Sequence, residues 1–184
     1  MEAFSDGVVA ILITIMVLEL KVPHGADLAS LRPILPVFLT YVLSYVMLGI
    51  YWNNHHHMLQ ATERVNGKIL WANLNLLFWL SLVPAVTGWM GENHLAPLPT
   101  AVYGVVMICA AIAYTILQVN IVRAHERNAK LRAAVGKDFK GKLSIALYLI
   151  AIAAAFIDSR LAVGLYVTVA LIWLVPDRRI ESRV

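Results

Sequence analysis

Six long apolar runs, separated by short polar turns, constrain the fold of this chain more than any other feature. Four of the runs approach the roughly 20 residues that an α-helix needs to cross the hydrocarbon core of a bilayer. The last two are shorter and are joined by three polar residues, which predicts a tight helical hairpin. We therefore predict an all-α membrane protein with a single six-helix transmembrane domain over residues 1–184. The helices are expected at about 4–20, 34–52, 69–90, 100–122, 143–157 and 161–175.

The composition excludes a soluble globular domain. Hydrophobic residues make up 60% of the 184 residues and charged residues 14%, with a mean hydropathy of +0.74, whereas soluble domains are about 25% charged. The first run carries Ser5 and Asp6 where a signal peptide would carry positive charge, so we predict that it is retained as a helix. Pro84 lies inside the third run and should bend that helix. The single cysteine, Cys109, excludes a disulfide within one chain.

Lysine and arginine residues are divided unevenly between the two sets of loops. With a cytoplasmic amino terminus, the inner loops carry twelve of these residues and the outer loops carry three, namely Lys21, Arg32 and Arg160. Because basic loops stay in the cytoplasm, both termini are predicted to be cytoplasmic. The same asymmetry accounts for the net charge of +4, so we predict no nucleic-acid partner. The basic stretch over residues 123–142 is interpreted as a solvated loop, although it could also contact anionic lipid.

Polar side chains concentrate at one predicted depth, near the inner ends of the first three helices. Ser5 and Asp6 begin helix 1, His55 and His56 lie at the end of helix 2, and Asn73 lies about one turn into helix 3. Because polar groups at membrane depth need partners, we predict a hydrogen-bonded network among these residues. The other polar residues at this depth are Asn75, which is expected to join the network, and Asn53, Asn54 and His57, which could equally face headgroup water.

The sequence gives no support for catalysis or for a bound cofactor. Three consecutive histidines, His55 to His57, point about 100° apart on a helix and cannot all bind one ion. Haem is not predicted because the other histidines lie in loops. Paired-carboxylate, GxSxG, HExxH and phosphate-binding glycine patterns are absent from the sequence. We therefore predict no enzyme, no cofactor and no metal site.

One side of helix 1 carries a regular series of residues. Gly7, Ile11, Thr14, Ile15 and Leu18 fall on one stripe of a helix with 3.6 residues per turn. Ordinary packing is one explanation of this spacing. The other is that several copies of helix 1 surround an axis and form an apolar bore with one ring of threonine hydroxyls. Such a bore could pass cations and close by dewetting at the isoleucines.

Three segments of the first half of the chain carry specific motifs. They are FSDGVVAILITIMVLEL in helix 1, YWNNHHHML at the end of helix 2, and NLNLLFWLSLVPAVTGWMGE in helix 3. Together they resemble the bacterial branch of the transmembrane protein 175 family of potassium channels. The resemblance extends over the whole six-helix layout, but the last three helices match only in hydropathy.

The resemblance implies a homotetramer in the inner membrane of a bacterium, in which helix 1 of each subunit lines a central pore. This pore lacks the carbonyl filter of ordinary potassium channels, and potassium permeates with weak discrimination against other monovalent cations. By position, the resemblance implies that Ile11 forms a narrow hydrophobic constriction and that Thr14 forms the adjacent hydroxyl layer. Ile15 and Leu18 correspond to further apolar rings. The implied partners are the lipid bilayer, monovalent cations and other copies of the chain.

The FSD motif has its own implied role. Phe4, Ser5 and Asp6 belong to the signature that ties helix 1 to its neighbours, and the partners implied by the resemblance are His55, His56 and Asn73. The family signature reads R-x-x-x-F-S-D, which places its arginine immediately before Met1. We therefore expect either that the native chain begins earlier or that Asp6 lacks its usual cation.

Two other functions compete with a channel. A small secondary transporter, coupled to protons or to a metabolite, would use broken helices near the middle of the membrane, and Pro84 and Gly88 are the features that suggest one. A scaffold for other membrane proteins would produce no cation leak in pure liposomes. Flux measurements distinguish these three possibilities.

Overall fold

The computed structural model describes residues 1–60, 62, 64–124 and 139–174. All regular structure within these residues is helical. The predictions made for residues 125–138 of the basic stretch, and for the arginines beyond residue 174, lie outside the described part of the chain.

Six helices form the described fold, and one of them is broken into two parts. They are α1 (Glu2–Ile15), α2 (Leu35–Gln60), the broken pair α3 (Gly67–Ser81) and α4 (Val83–Glu92), α5 (Pro97–Ala124), α6 (Phe139–Ala154) and α7 (Ser159–Leu174). A 3₁₀ turn over Met16–Glu19 extends α1. In the described residues, α2, the α3–α4 pair and α5 are long and apolar enough to cross a membrane. The predicted six-helix, all-α architecture is confirmed.

Polar side chains and proline determine where several of these helices begin. Asn66 precedes α3, and its side chain accepts a hydrogen bond from the Ile69 N–H at 3.0 Å. Asp158 does the same between α6 and α7, where it accepts from the Arg160 N–H at 2.8 Å and closes the predicted hairpin. Pro97 begins α5, a position where its missing N–H costs no helical hydrogen bond.

The third membrane segment is interrupted close to Pro84, where the sequence predicted a bend. Helix α3 ends at Ser81, and Pro84 lies in the first turn of α4. The break affects one residue, Leu82, whose carbonyl already accepts the Val86 N–H at 3.1 Å. The interruption therefore leaves few backbone groups unpaired.

Helix α2 is longer than the sequence predicted. The apolar run ends near Trp52, but the helix continues through the histidines to Gln60. Asn54 supports this extension because its amide donates to the Ile50 carbonyl one turn earlier, at 2.8 Å. The hydropathy pattern marks where a helix leaves apolar surroundings, and a helix can continue beyond that point.

The core is formed mainly by α5 and the helices around it. Helix α5 packs against α3 and α6, α2 packs against α4, and α6 pairs with α7. Tyr103, Tyr148 and Tyr166 are fully buried between α5, α6 and α7, and the Tyr166 hydroxyl donates to the Thr100 carbonyl at 2.9 Å. Helix α1 lies at the side of this core and contacts α2, α3 and α4. One side of α1 therefore has no partner in the described part of the chain.

Candidate functional site

Helix α1 has two faces that differ in their surroundings. Ser5, Val9, Leu12 and Met16 are buried against the neighbouring helices, with the spacing of one helix face. The stripe predicted from the sequence lies away from this buried face. Its members are exposed in the single chain: Gly7, Ile11, Thr14, Ile15 and Leu18. Ile11 is 62% exposed, and Leu18, which lies in the 3₁₀ turn that extends α1, is 77% exposed. No residue within 1–60, 62, 64–124 or 139–174 covers this stripe, so it could face a pore, another copy or lipid.

The stripe contains one hydroxyl among apolar side chains. The Thr14 hydroxyl donates to the carbonyls of Ala10 and Ile11, at 3.0 Å in each case. Because its proton is directed to the helix backbone, the oxygen lone pairs remain available to water or to a cation. Ile15, the next residue of the stripe, is also exposed. Apolar side chains of the stripe thus lie on both sides of a single hydroxyl oxygen that can act as an acceptor.

A buried hydrogen-bonded chain holds the amino end of α1 against α2 and α3. The Ser5 hydroxyl donates to the Met1 carbonyl at 3.1 Å, and the Asn73 amide donates to the Ser5 hydroxyl oxygen at 2.9 Å. The other end of the Asn73 amide, its carbonyl oxygen, lies 2.7 Å from His55 Nε2. All three side chains are almost completely buried. Removing one partner from such a chain leaves a buried polar group unpaired, at a cost of about 1–3 kcal/mol.

These hydrogen bonds also determine which ring nitrogen of His55 carries a proton. Because Ser5 donates to Met1, it must accept from the amide nitrogen of Asn73. The carbonyl oxygen of Asn73 then faces His55, so Nε2 of the imidazole carries a proton. His55 thus donates to Asn73, and Asn73 donates to Ser5. These hydrogen bonds connect α2, α3 and α1.

A second group of polar side chains lies beside the Ser5–Asn73–His55 hydrogen bonds, at the same end of α1. Asp6 accepts a hydrogen bond from the Trp52 indole N–H at 3.0 Å. His56 Nδ1 lies 3.5 Å from the other oxygen of Asp6 and 3.2 Å from a Glu2 carboxylate oxygen. The Trp52 and His56 rings stack with their centroids 5.6 Å apart. These contacts join α1 to α2 a second time.

The structure brings together most of the residues predicted for the inner network. Ser5, His55 and Asn73 form its buried part, and Asp6 and His56 lie beside them. Phe4, which the resemblance also assigned to this motif, is 59% exposed and contributes no buried contact of this kind.

The other polar residues at this depth do not join the network. The expectation for Asn75 was wrong: its side chain is exposed beside Asn66, Lys68 and Asn120, because two residues along a helix place it about 200° from Asn73. Asn53 is exposed, and the centroids of the His57 and His56 rings lie 5.9 Å apart with the ring planes at 67°.

Two members of the site were missed in the sequence. Trp52 and Glu2 carry no unusual signal of their own in an apolar chain. Each lies four residues from a recognised member, Trp52 from His56 and Glu2 from Asp6, so each shares a helix face with its partner. That spacing was the signal that could have identified them.

The far end of α1 is arranged differently. The carboxylate of Glu19 lies beside Gly88 of α4, where an added Cβ would be 3.5 Å from Glu19 Oε2. Lys21 and Glu92 form an ion pair at 2.8 Å, and this partner raises the pKa of the exposed Lys21 ammonium. Asp6 and Glu19, the acids near the two ends of the first apolar run, therefore both lie against other helices of the chain.

Comparison with known proteins identifies the family. The sequence profile described as "Endosomal/lysosomal potassium channel TMEM175" matches residues 1–84. A potassium channel of Chryseobacterium sp. is 58% identical over 182 residues, which cover 99% of this chain and 95% of that protein. The chain belongs to the TMEM175 family. The resemblance inferred from the sequence motifs is thereby confirmed.

Further comparisons extend the similarity to a second bacterial sequence and to the three-dimensional structure. A potassium channel of Streptomyces collinus is 35% identical over 66% of this chain and 63% of that protein. The crystal structure of a lysosomal potassium-selective channel TMEM175 homolog from Chamaesiphon minutus matches with a TM-score of 0.81 and 30% identity. This match covers 94% of both chains. The TMEM175 family consists of ion channels and not of enzymes, and this member is a multi-pass membrane protein.

Proposed function

We propose that this chain forms a potassium channel in which four copies surround a central pore lined by α1. The observation that carries the proposal is the exposed stripe of α1, which has no packing partner among the residues that the structure describes and includes a hydroxyl. Relatives that match nearly the whole chain are named potassium channels, which supports the same function. Potassium is then a permeant ion and not a resident cofactor.

The stripe suggests how such a pore would close and select ions. Ile11 would form the narrowest ring, Thr14 the hydroxyl layer next to it, and Ile15 and Leu18 further apolar rings. An isoleucine ring offers no ligands, so an ion passes only after losing part of its water. Potassium loses water more easily than sodium, and Thr14 oxygens would replace some of the lost water oxygens. This mechanism gives a preference for potassium that is weaker than that of a carbonyl filter.

The network at the amino end of α1 would hold the pore helix in position. Ser5 and Asp6 are bonded to residues of α2 and α3, so movement of this end of α1 requires those helices to follow or the bonds to break. We propose that it lies on the cytoplasmic side, with both termini in the cytoplasm, because basic residues are concentrated in the loops of that side. The bacterial relatives favour location in a bacterial inner membrane.

Substitution of Ile11 tests this function directly. Ile11→Asn should hydrate the constriction, raise potassium flux through reconstituted liposomes several-fold and reduce discrimination against sodium. Ile150→Asn on α6 is the matched control, since Ile150 is also exposed, at 56%, but lies on another helix. Its flux should equal that of the unmodified protein. Equal flux from Ile11→Asn and the unmodified chain would contradict the assignment.

A coupled transporter is the alternative that the same assay separates. The break between α3 and α4 is the feature that a transporter would exploit, but it spans one residue and the helix resumes at once. A channel should give a cation current that rises linearly with driving force, without saturation and without a co-substrate. Dependence of the flux on a proton gradient or a metabolite would favour the transporter.

A further inference from the structure

An open groove lies between α3 and α5, at the end of the molecule where α3 begins. Its volume is about 950 Å³, and its wall includes Lys68, Trp71 and Asn75 of α3 and Ile116 and Asn120 of α5. The three residues of α3 follow one another at intervals of three and four, so they share one face of the helix. We refer to these five residues as the α3–α5 groove.

The polar side chains of the groove supply hydrogen-bond donors and positive charge. The Lys68 ammonium is exposed and forms no ion pair with any residue that the structure describes. The Asn120 amide donates one N–H to the Ile116 carbonyl at 2.9 Å, which leaves its second N–H for a ligand. Arg123, three residues further along α5, is also exposed. Since no described acidic residue lines the groove, it favours an anion with several acceptor oxygens.

Asn75 carries its amide to a depth where water is scarce. The segment Gly67–Glu92 is long and apolar enough to cross a membrane, and Asn75 lies about 12 Å along α3 from its first residue. The headgroup region on one side of a bilayer is only about 5–8 Å thick. The Asn75 side chain is exposed and makes no hydrogen bond to the described part of the chain. A polar ligand in the groove would satisfy this amide, whereas hydrocarbon cannot.

The surface becomes apolar one helical turn beyond Asn75. Phe78 of α3 is 56% exposed there, and Ile112 of α5 is 44% exposed. Trp71 is exposed between the levels of Lys68 and Asn75, in the manner of indoles at membrane interfaces. This order of ammonium, amides and apolar side chains matches the phosphate, ester carbonyls and acyl chains of a phospholipid. A soluble anion would leave the apolar part uncovered.

A second copy of the chain matches the charge of the groove less well. Glu2 and Asp6 are the described acidic residues at this end of the helix bundle, and both already contact His56. A neighbouring copy would therefore bring Lys68 no described carboxylate that lacks a partner. Charge complementarity thus favours a lipid phosphate over a second copy.

We propose that the α3–α5 groove binds one anionic phospholipid. The lipid phosphate pairs with Lys68, and Arg123 adds attraction over a longer distance. Asn75 and Asn120 donate to the ester carbonyl oxygens, and the acyl chains lie along the apolar surface beyond them. The orientation proposed above places this lipid in the cytoplasmic leaflet. The site needs a chain that spans a bilayer and does not depend on ion conduction.

Lipid retention by the purified protein tests the site without a flux measurement. The full chain in detergent, stripped of native lipid, is titrated with phosphatidylglycerol or with phosphatidylcholine of the same acyl chains, and native mass spectrometry counts the bound lipids. We expect one phosphatidylglycerol per chain, bound about fivefold or more tightly than phosphatidylcholine. Glycerol 3-phosphate carries the same phosphate without acyl chains and should not displace the lipid.

Substitutions assign the lipid to the groove. Lys68→Gln should weaken phosphatidylglycerol binding about fivefold and leave phosphatidylcholine binding unchanged. Asn75→Leu keeps the size of an exposed side chain and should weaken both lipids, because both contain ester carbonyls. Lys142→Gln is the matched control, since it removes the same charge from an exposed position at the start of α6. It should bind phosphatidylglycerol like the unmodified protein.

Four results would overturn the proposal. They are equal affinity of the unmodified protein for the two lipids, equal losses in Lys68→Gln and Lys142→Gln, displacement by glycerol 3-phosphate, and efficient disulfide dimers of Trp71→Cys in a Cys109→Ala background. The last result would place a second copy in the groove. Gel filtration of each variant checks that it remains folded. A protein that retains phosphatidylglycerol through Lys68 but conducts no cations would refute the proposed channel and leave the lipid site standing.

Discussion

In the proposed pore, Thr14 is the residue on which ion discrimination would depend most directly, because it supplies the hydroxyl of the exposed stripe of α1. Thr14→Val removes the oxygen and keeps nearly the same shape. We expect the variant to conduct with a several-fold lower preference for potassium over sodium, since no protein oxygen would then replace lost water. Reversal potentials in planar bilayers with potassium on one side and sodium on the other measure this change.

Thr14→Ser is the matched control for this substitution. It retains a hydroxyl that can bond to the Ala10 and Ile11 carbonyls in the same way. The serine variant should keep most of the preference for potassium. Equal losses in the valine and serine variants would indicate that the shape of the side chain, and not its oxygen, determines discrimination.

Individual residues of the site were predictable to different degrees. Ser5, His55 and Asn73 were identified because polar side chains in apolar helices must find partners, and topology placed them at one depth. Asn75 was misassigned because depth alone does not determine helix face. Trp52 was missed because an indole in an apolar helix looks like ordinary packing until its N–H has a known acceptor.

At the scale of helices, close contact between α2 and α4 depends on Gly91. A Cβ added there would lie 2.8 Å from the Val37 Cα, a backbone atom that cannot move without shifting α2. Gly91→Ala should therefore force the two helices apart and destabilise the protein by about 1–3 kcal/mol. The melting temperature of the purified protein, followed by tryptophan fluorescence, should decrease.

Gly164→Ala provides the comparison for Gly91. Gly164 lies inside α7, and an added Cβ would meet no atom within 4 Å. Because alanine favours helix more than glycine does, this variant should be as stable as the unmodified protein or more stable, by up to about 1 kcal/mol. A melting temperature for Gly91→Ala equal to that for Gly164→Ala would show that α2 and α4 can separate without cost.

Helix existence was easier to predict than helix length. Apolar runs indicated every helix and proline indicated the break at Leu82, because both effects are local. The continuation of α2 to Gln60 and the start of α6 at Phe139 were not visible in hydropathy, since these helix ends contain polar residues. Hydrophobicity identifies the part of a helix that needs apolar surroundings. It does not show how far the helix continues into polar sequence at either end.

For the whole molecule, the decisive question is whether α1 of several copies meets at one axis. Leu18, 77% exposed at the far end of the stripe, would then lie close to its equivalents in neighbouring copies. The chain has one cysteine, so Cys109→Ala gives a background without thiols. In that background, Leu18→Cys should form disulfide-linked dimers when oxidised in membranes, and a bifunctional thiol reagent should add higher species up to the tetramer.

A cysteine on another helix makes this cross-linking informative. Leu149 on α6 is also exposed, and Leu149→Cys in the same background should stay mainly monomeric if α6 faces lipid. Random collisions in the membrane would cross-link both variants equally. Cross-linking through Leu149 but not through Leu18 would place α6 at the subunit contact and would remove α1 from the axis, together with the roles proposed for Ile11 and Thr14.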